Sequence, residues 1–215
     1  MTLQKAANPQ LNPVASTETP HDDVPATVLS RALYNEPHLA FMIPDEDARR
    51  AMLPWLFRAA TRACEIYGRI CTTASEGVAL WIGPEHDLTV SRVVWAGMMA
   101  MPFNLERGIL RRCMKLAASI EKVRRRLAPQ PHWYLMALGS EPSSDGASIG
   151  GVLMEPVLSR AYIAGVPCYL ETFNEGRLRF YQDYGFRIAG AGQVPGGGPP
   201  FWAMTRRGSA NVSAE

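Results

Sequence analysis

The chain has 215 residues, a length at which one domain with one sizeable core is expected. Hydrophobic residues make up 47% and charged residues 20%, which is typical of a globular protein and excludes disordered and fibrous classes. The net charge of +2 gives no support for a nucleic-acid or membrane partner, and no apolar run approaches the ~20 residues of a membrane span. Because the N-terminus also lacks the apolar stretch of a signal peptide, we expect a cytoplasmic protein.

The cysteines give no sign of a metal or redox site. No pair of them has the two-residue spacing of a zinc or thiol–disulfide motif. Most have apolar neighbours, among which a free cysteine behaves as a small hydrophobic residue. We therefore expect no metal and predict buried structural thiols at Cys64, Cys71, Cys113 and Cys168.

The N-terminal part is expected to hold a disordered tail and then two elements. Residues 1–22 are rich in proline and small polar residues, which predicts a mobile tail. The apolar segment from Val28 to Phe41 is expected to contain the first strand-to-helix passage. A helix is predicted from Asp45 to Tyr67, with acidic residues at its positive end and Gly68 at its end. Its buried face is predicted to be Met52, Leu56, Ala59, Ala63 and Ile66.

The middle of the chain predicts a hairpin followed by a long amphipathic helix. Short strands are expected at Arg69–Thr73 and Val78–Ile82, with a turn between them. Between Ile109 and Leu127 the apolar residues recur at intervals of three and four, as on one helix face. The opposite face is basic. Since it carries no aromatic residues, a solvated helix surface is favoured over a nucleic-acid patch.

From His132 onwards the pattern is β-α-β-α-β, which places the chain in the α/β class. A central strand is predicted at His132–Leu138 because almost all of its residues are apolar. The helix that follows, Ser148–Ala164, is expected to turn Val152 and Tyr162 inward and to end at Gly165. The remaining elements are a strand at Pro167–Thr172, a helix at Glu175–Tyr184 and a hairpin of Gly185–Ala191 with Phe201–Arg206.

A glycine-rich loop from Ser143 to Gly151 stands between the central strand and its helix. Such a loop at a helix N-terminus presents unpaired backbone N–H groups and the positive dipole end to an anion, typically phosphate. It matches neither the P-loop nor the dinucleotide fingerprint. By itself it is therefore equally well explained as a plain strand–helix turn.

After the loop and its helix come Tyr169-Leu170-Glu171-Thr172-x-Asn174 and then Phe180-Tyr181-x-x-x-Gly185-Phe186. This order of strand, loop, helix and motifs resembles the GNAT N-acetyltransferase superfamily. Within the superfamily the chain is similar to puromycin N-acetyltransferase-like members. The shared local sequences are Val78-Ala79-Leu80-Trp81, Ala164-Gly165-Val166-Pro167, Leu170-Glu171-Thr172 and Pro195-Gly196-Gly197-Gly198-Pro199 with Trp202-x-Met204-Thr205-Arg206.

The resemblance implies a single GNAT domain at residues 23–207 and a flexible tail at 208–215. Its fold would be a mixed central sheet of about six to seven strands flanked by helices. Residues 84–130 would be a helical insertion on the substrate side. The two parallel strands would splay at their C-terminal ends, and the pantetheine arm of acetyl-CoA, the acyl donor, would lie between them. The residues implied in binding acetyl-CoA are Leu138, Gly139, Ser140, Gly146, Ala147, Ser148, Ile149, Gly150, Gly151, Asn174 and Tyr181.

The implied reaction is direct attack of a small-molecule primary amine on the thioester in a ternary complex. Tyr181 would protonate the leaving thiolate, although a core aromatic role is the alternative. A base must deprotonate the amine, whose pKa is ordinarily near ~10. Glu171 is the first candidate, with a structural role as its rival, and Glu36 and Glu141 are weaker candidates. The sequence does not identify the acceptor amine. It also leaves the oligomeric state open, with a homodimer as one option.

The chain departs from the GNAT pattern in the phosphate loop. Where the family has (Gln/Arg)-x-x-Gly-x-(Gly/Ala), this sequence has Asp145, Ser148 and Gly150. Asp145 would repel a diphosphate, and Ser148 would cost about 1–2 kcal/mol if that position needs a positive φ. These residues motivate a second hypothesis, a weak or inactive GNAT-fold protein that binds a ligand or partner.

Overall fold

The computed structural model describes residues 24–73, 77–86, 106–129, 131–142 and 146–208. The predicted N-terminal tail, nearly all of the predicted C-terminal tail, Asp145 and residues 87–105 of the predicted insertion lie outside these ranges. The described ranges make up one sheet with helices on both of its faces.

The described residues from Val24 to Met42 form two helices joined by a turn, so the strand expected between Val28 and Phe41 is wrong. Helix α1 spans Val24–Ala32 and α2 spans Pro37–Met42. Buried residues Ala26 and Leu29 are three positions apart, which is a helical interval. Pro37 starts α2, where its missing N–H costs no hydrogen bond.

Helix α3 spans Glu46–Tyr67 and begins as the sequence predicts. The Asp45 carboxylate accepts a hydrogen bond from the N–H of Ala48 at 2.8 Å and caps the helix. The predicted buried face is only partly correct, because Ile66 is 68% exposed. The side chains that are buried are rotated by about one position and include Met52, Leu53, Phe57, Ala60 and Cys64.

In the part of the chain that the structure describes, six strands form one mixed sheet in the order β1-β2-β3-β4-β6-β5. The pair β3–β4 is parallel and the other neighbouring pairs are antiparallel. This confirms the predicted fold class and both hairpins. The strands are β1 Gly68–Thr73, β2 Gly77–Ile82, β3 Trp133–Ser140, β4 Cys168–Thr172, β5 Arg187–Gln193 and β6 Pro200–Arg206.

The described residues contain four further segments: helix α4 (Arg107–Leu127), helix α5 (Gly146–Ile163), a 3₁₀ turn (Glu175–Arg177) and helix α6 (Leu178–Asp183). One face of the sheet packs against α1 to α4 and the other against α5 and α6. Successive residues of a strand point to opposite faces, so Tyr169 faces α1–α4 whereas Leu170 faces α5.

The apolar stripe predicted for α4 is confirmed, but that of α5 is partly wrong. Val152 and Tyr162 are 60% and 55% exposed, and the buried positions include Gly150 and Gly151 instead. A glycine has no side chain to register as apolar, so a pattern of hydrophobic residues misses it. Gly165 does end the α5 segment and adopts a φ of 66°.

The thiols of Cys64, Cys113 and Cys168 are buried, as predicted, whereas Cys71 is half-buried. Burial raises the pKa of each of the three buried thiols to about 12. They therefore stay protonated and unreactive near neutral pH. Within the described ranges, no helix has the length and apolar character to cross a membrane.

Candidate active site

Strands β3 and β4 separate after three paired positions. The last of these joins Leu135 to Leu170, and β3 then continues to Ser140 while β4 ends at Thr172. On its other side β3 stays paired with β2 as far as Ser140. The part of β3 from Met136 to Ser140 therefore has an edge toward β4 that no described strand fills. This is the splay predicted for the two parallel strands.

A cavity of about 160 Å³ lies at this splay. Its lining includes residues from both faces of the sheet, such as Tyr134 and Leu135, so it reaches into the gap between the strands. Helices α2, α3 and α4 close it with apolar side chains. Its described polar lining is Glu36, His38, Tyr134, Glu171, Thr172, Arg177 and Tyr181.

Glu171 lies on β4, one position after the last residue that pairs with β3, and its carboxyl lies near Arg124 and Glu121 of α4. Burial raises the pKa of Glu171 to about 7, although the Tyr169 and Tyr134 phenols and the Arg124 guanidinium favour the carboxylate and oppose this rise. The carboxylate of Glu121 adds to the rise. Oε1 of Glu171 and the Tyr169 hydroxyl are buried and lack a partner in full hydrogen-bond geometry. The carboxyl is therefore buried without being saturated by hydrogen bonds to its neighbours.

Tyr181 lies on α6 and lines the same cavity from the other side of the splay. Its ring packs edge-on against Phe180 and Phe186, with centroids 5.2 Å and 6.1 Å away. Burial raises the pKa of Tyr181 to about 12, with Arg177 opposing and Glu36 reinforcing the rise. The phenol is therefore protonated near neutral pH, which is the state that a general acid requires.

The other two carboxylates considered as bases differ in position. Glu36 lines the cavity and lies close enough to Tyr181 to affect its pKa. Glu141 follows β3 and forms an ion pair with Arg31 at 3.3 Å, and it does not line the cavity. The geometry favours Glu171 and Glu36 over Glu141.

His38 is a cavity residue that the sequence did not suggest. Its ring stacks on Phe173 with centroids 4.4 Å apart, and its Nδ1 is buried without a hydrogen-bond partner. Burial lowers the pKa of His38 to about 4, so the imidazole is neutral at physiological pH. It is therefore a weak base and contributes a neutral polar atom to the cavity wall.

The glycines of the predicted phosphate loop belong to a helix. Gly150 and Gly151 lie in the second turn of α5, where backbone N–H groups are bonded within the helix. A Cβ on Gly150 would lie 2.7 Å from Cζ of Phe180, and one on Gly151 would collide with the Tyr184 hydroxyl. These two glycines allow α6 and the turn after it to approach α5. The helix predicted from Ser148 to Ala164 is confirmed and starts two residues earlier, so the loop expected over residues 146–151 is wrong.

Ser148 also lies inside α5 and is exposed. Helical backbone has a negative φ, so the penalty considered for a positive φ does not arise. The unpaired N–H groups at this N-terminus are those of the first turn, Gly146, Ala147 and Ser148, with Ile149 next to them. An anion bound here would meet these amides and the positive end of the helix dipole.

Asn174 follows β4 and caps the 3₁₀ turn. Its Oδ1 accepts a hydrogen bond from the N–H of Gly176 at 3.0 Å, and its N–H donates to Oγ1 of Thr172 at 3.3 Å. Since Oδ1 is engaged, the Nδ2 group is the end of the side chain that can bind a ligand. A pantetheine carbonyl is an acceptor that suits such a donor.

The polar groups around Glu171 come from distant parts of the sequence. Tyr134 is opposite Tyr169 in the β3–β4 register, and Arg124 of α4 pairs with Glu121 at 3.1 Å. No motif joins these residues, because the tertiary fold alone brings them to one carboxyl. The sequence offered one signal for this cluster. Each of the two central strands carries a tyrosine, and on β4 a glutamate follows two residues later, on the same face of the strand.

No protein-family profile matches the sequence. Solved structures do resemble it. An acetyltransferase related to histone acetyltransferases, from Corynebacterium glutamicum, superposes with a TM-score of 0.57 and 23% identity over 88% of this chain and 92% of that chain. Arylalkylamine N-acetyltransferase 2 from Aedes aegypti superposes with a TM-score of 0.52 and 12% identity, over 86% of this chain and 93% of that chain. The mosquito arylalkylamine N-acetyltransferase-like protein 5b superposes with a TM-score of 0.52 and 12% identity, over 85% of this chain and 92% of that chain.

These likenesses, together with the splayed parallel strands, define an α/β protein with the acetyltransferase fold. In particular, the chain has the GNAT fold. Identities below 25% establish the fold and carry no information on the substrate. The likeness to puromycin N-acetyltransferase-like members stays a prediction.

Proposed function

We propose that this protein is an acetyl-CoA-dependent N-acetyltransferase that acts on the primary amine of a small molecule. The observation that carries the proposal is the cavity at the β3–β4 splay, which Glu171 and Tyr181 line from opposite sides. A base and an acid on either side of one cavity suit direct transfer in a ternary complex.

The chain has the groups needed to hold the donor. The unpaired edge of β3 at Leu138, Gly139 and Ser140 can pair with the pantetheine arm, as an added strand does. The first-turn amides of α5 can bind the diphosphate, and Nδ2 of Asn174 can donate to a pantetheine carbonyl. Ser140 lies beside the start of α5, so the two binding surfaces adjoin.

Glu171 and Tyr181 carry the proton transfers. Glu171 takes a proton from the substrate ammonium, whose pKa is ordinarily near ~10, and the neutral amine nitrogen then bonds to the acetyl carbonyl carbon. The carbon–sulfur bond breaks, and the leaving thiolate takes the phenol proton of Tyr181. The extra proton of the acylated nitrogen then passes to the Tyr181 phenolate, so that the amide, the thiol and the phenol are all neutral at the end of the step. Because the pKa of Glu171 is about 7, it is sufficiently basic at neutral pH without being permanently protonated.

The walls of the cavity support an acceptor with an apolar body. Leu39, Met42, Phe57, Leu116 and Ile120 are among its lining residues. Such walls exclude water and favour an aryl or alkyl group over a second cation. We therefore expect 2-phenylethylamine to be a better acceptor than spermidine.

Two measurements test the proposal. Titration calorimetry should detect acetyl-CoA binding, and thiol release with a panel of primary amines should detect transfer. Glu171→Gln should lower kcat by about 10²-fold or more, and wild-type kcat/KM should fall below a pH of about 7 as Glu171 becomes protonated. The matched control is Glu141→Gln, since that carboxylate lies outside the cavity and should leave turnover intact. Absence of acetyl-CoA binding by the wild type would refute the proposal.

A further inference from the structure

Tyr134 belongs to the walls of two separate cavities. One is the cavity at the splay, which also contains Glu171. The other has a volume of about 530 Å³ and lies between the C-terminal end of α4 and the start of β3. Arg125, whose side chain is 71% exposed, lines this second cavity, so it is open to solvent.

The strand register places Tyr134 close to the Glu171 carboxyl. Tyr134 on β3 is opposite Tyr169 on β4, and Glu171 follows two residues later on the same face. The Tyr134 hydroxyl is near enough to stabilise the Glu171 carboxylate by hydrogen bonding. Tyr169 also lies close enough to favour the carboxylate, although its hydroxyl forms no hydrogen bond of full geometry, and it is fully buried and lines neither cavity.

A base in this position needs a way to lose the proton it takes. During transfer the acceptor and the thioester occupy the splay, so the Glu171 side of the cavity is shut off from solvent. The second cavity lies toward the opposite end of β3 and stays open. Tyr134 is the described side chain common to both cavities whose polar group can accept one proton while it donates another.

We propose that Tyr134 passes the proton from Glu171 to solvent in the second cavity. The O–H bond of the Glu171 carboxyl breaks as its proton bonds to the Tyr134 oxygen. In the same step the original phenol proton leaves Tyr134 for a water molecule or a buffer base. Glu171 returns to a carboxylate and Tyr134 stays a neutral phenol. This relay rests on the proposed acetyltransferase function, for which Glu171 is the base.

The surrounding charges are compatible with a neutral relay. Arg124 of α4 faces both Tyr134 and Glu171, and its guanidinium is paired with Glu121, so its charge is partly offset. Burial raises the pKa of Tyr134 well above its ordinary value, and Glu171 and Tyr169 reinforce the rise. The phenol therefore keeps its proton and exchanges it instead of ionising.

The test compares Tyr134→Phe with Tyr169→Phe, using the amine that the wild type acetylates fastest. Each variant removes one phenol that stabilises the Glu171 carboxylate, so each should move the acidic limb of the kcat/KM profile to higher pH. Only Tyr134→Phe removes the link to the second cavity. Its kcat in dilute, bulky buffer should fall roughly tenfold or more, and imidazole should restore most of this loss as an external proton carrier.

The outcomes separate relay, structural and functional failures. Rescue of Tyr134→Phe by imidazole, with no such dependence in Tyr169→Phe or the wild type, supports the relay. Wild-type kcat in Tyr134→Phe would overturn it, and so would a loss that imidazole does not restore. Equal rescue of both variants would also overturn the assignment to Tyr134. Absence of transfer by the wild type is a failure of the proposed function and is seen before any variant is made.

Discussion

Replacing Glu171 with Gln is expected to stabilise the fold at neutral and alkaline pH while it removes the base. A buried carboxyl with a raised pKa is a cost to the folded state whenever it is ionised. Glutamine has nearly the same shape and no charge, so it avoids that cost. The active-site carboxylate would then be an example of function maintained at the expense of stability.

The size of the effect follows from the two pKa values of Glu171, 4.5 ordinarily and about 7 in the fold. Below pH 4.5 the carboxyl is protonated in both states, so its full contribution to stability is present. Between these values the unfolded chain releases the proton and the folded one keeps it, so stability falls as pH rises. At 1.36 kcal/mol per pH unit the total loss is roughly 3 kcal/mol, complete once the pH exceeds the folded value.

The assay is urea denaturation of wild type and Glu171→Gln at about pH 5 and about pH 8. The difference in the free energy of unfolding between the two proteins should grow in favour of the variant by about 2 to 3 kcal/mol over this interval. The measurement at the lower pH is the internal control, since most of the carboxyl's penalty is absent there. If the free energies of unfolding of the two proteins instead changed in parallel with pH, burial would not raise the pKa of Glu171 to about 7.

Three further substitutions test the site. Tyr181→Phe should lower kcat by about 10²-fold and leave acetyl-CoA affinity nearly unchanged in calorimetry. The control is Tyr184→Phe, which lies outside the cavity and should retain kcat. Equal losses of kcat in the two variants would contradict the acid role of Tyr181. Ser148→Gly should not tighten acetyl-CoA binding, because Ser148 is already helical, and a tenfold gain in affinity would contradict this. Gly151→Ala should destabilise the fold by roughly 1–3 kcal/mol in urea denaturation, since its methyl group meets Tyr184, and unchanged stability would contradict the packing argument.

The sequence by itself determined the parts of this protein that depend on local patterns. The α4 stripe, the β1–β2 hairpin and the end of α5 at Gly165 each follow from residue spacing or from a glycine at a required turn. The order of the central strands identified the fold for the same reason. A strand such as β3, buried on both faces, announces itself by its composition.

Tertiary structure decided which side of each pattern faces the core. The segment from Val28 to Phe41 was predicted to contain a strand followed by a helix, whereas the structure has two helices there, of which α1 packs against β3. The true inward face of α3 includes Leu53 and Phe57, whose apolar neighbours form an equally good stripe in the sequence. Gly150 and Gly151 were predicted both as part of a helix and as part of a phosphate loop, and their packing against Phe180 and Tyr184 is a property of the helix alone.

The chemistry of the site is the part that only the folded chain could reveal. Glu171 was named from the sequence, but its raised pKa comes from burial and from Tyr134, Tyr169 and Arg124 around it. Arg124 and Tyr134 lie on α4 and β3, and the packing of that helix on the sheet brings both to Glu171. Electrostatic effects act through space, so no spacing along the chain could have predicted the raised pKa of Glu171 or the groups that surround its carboxyl.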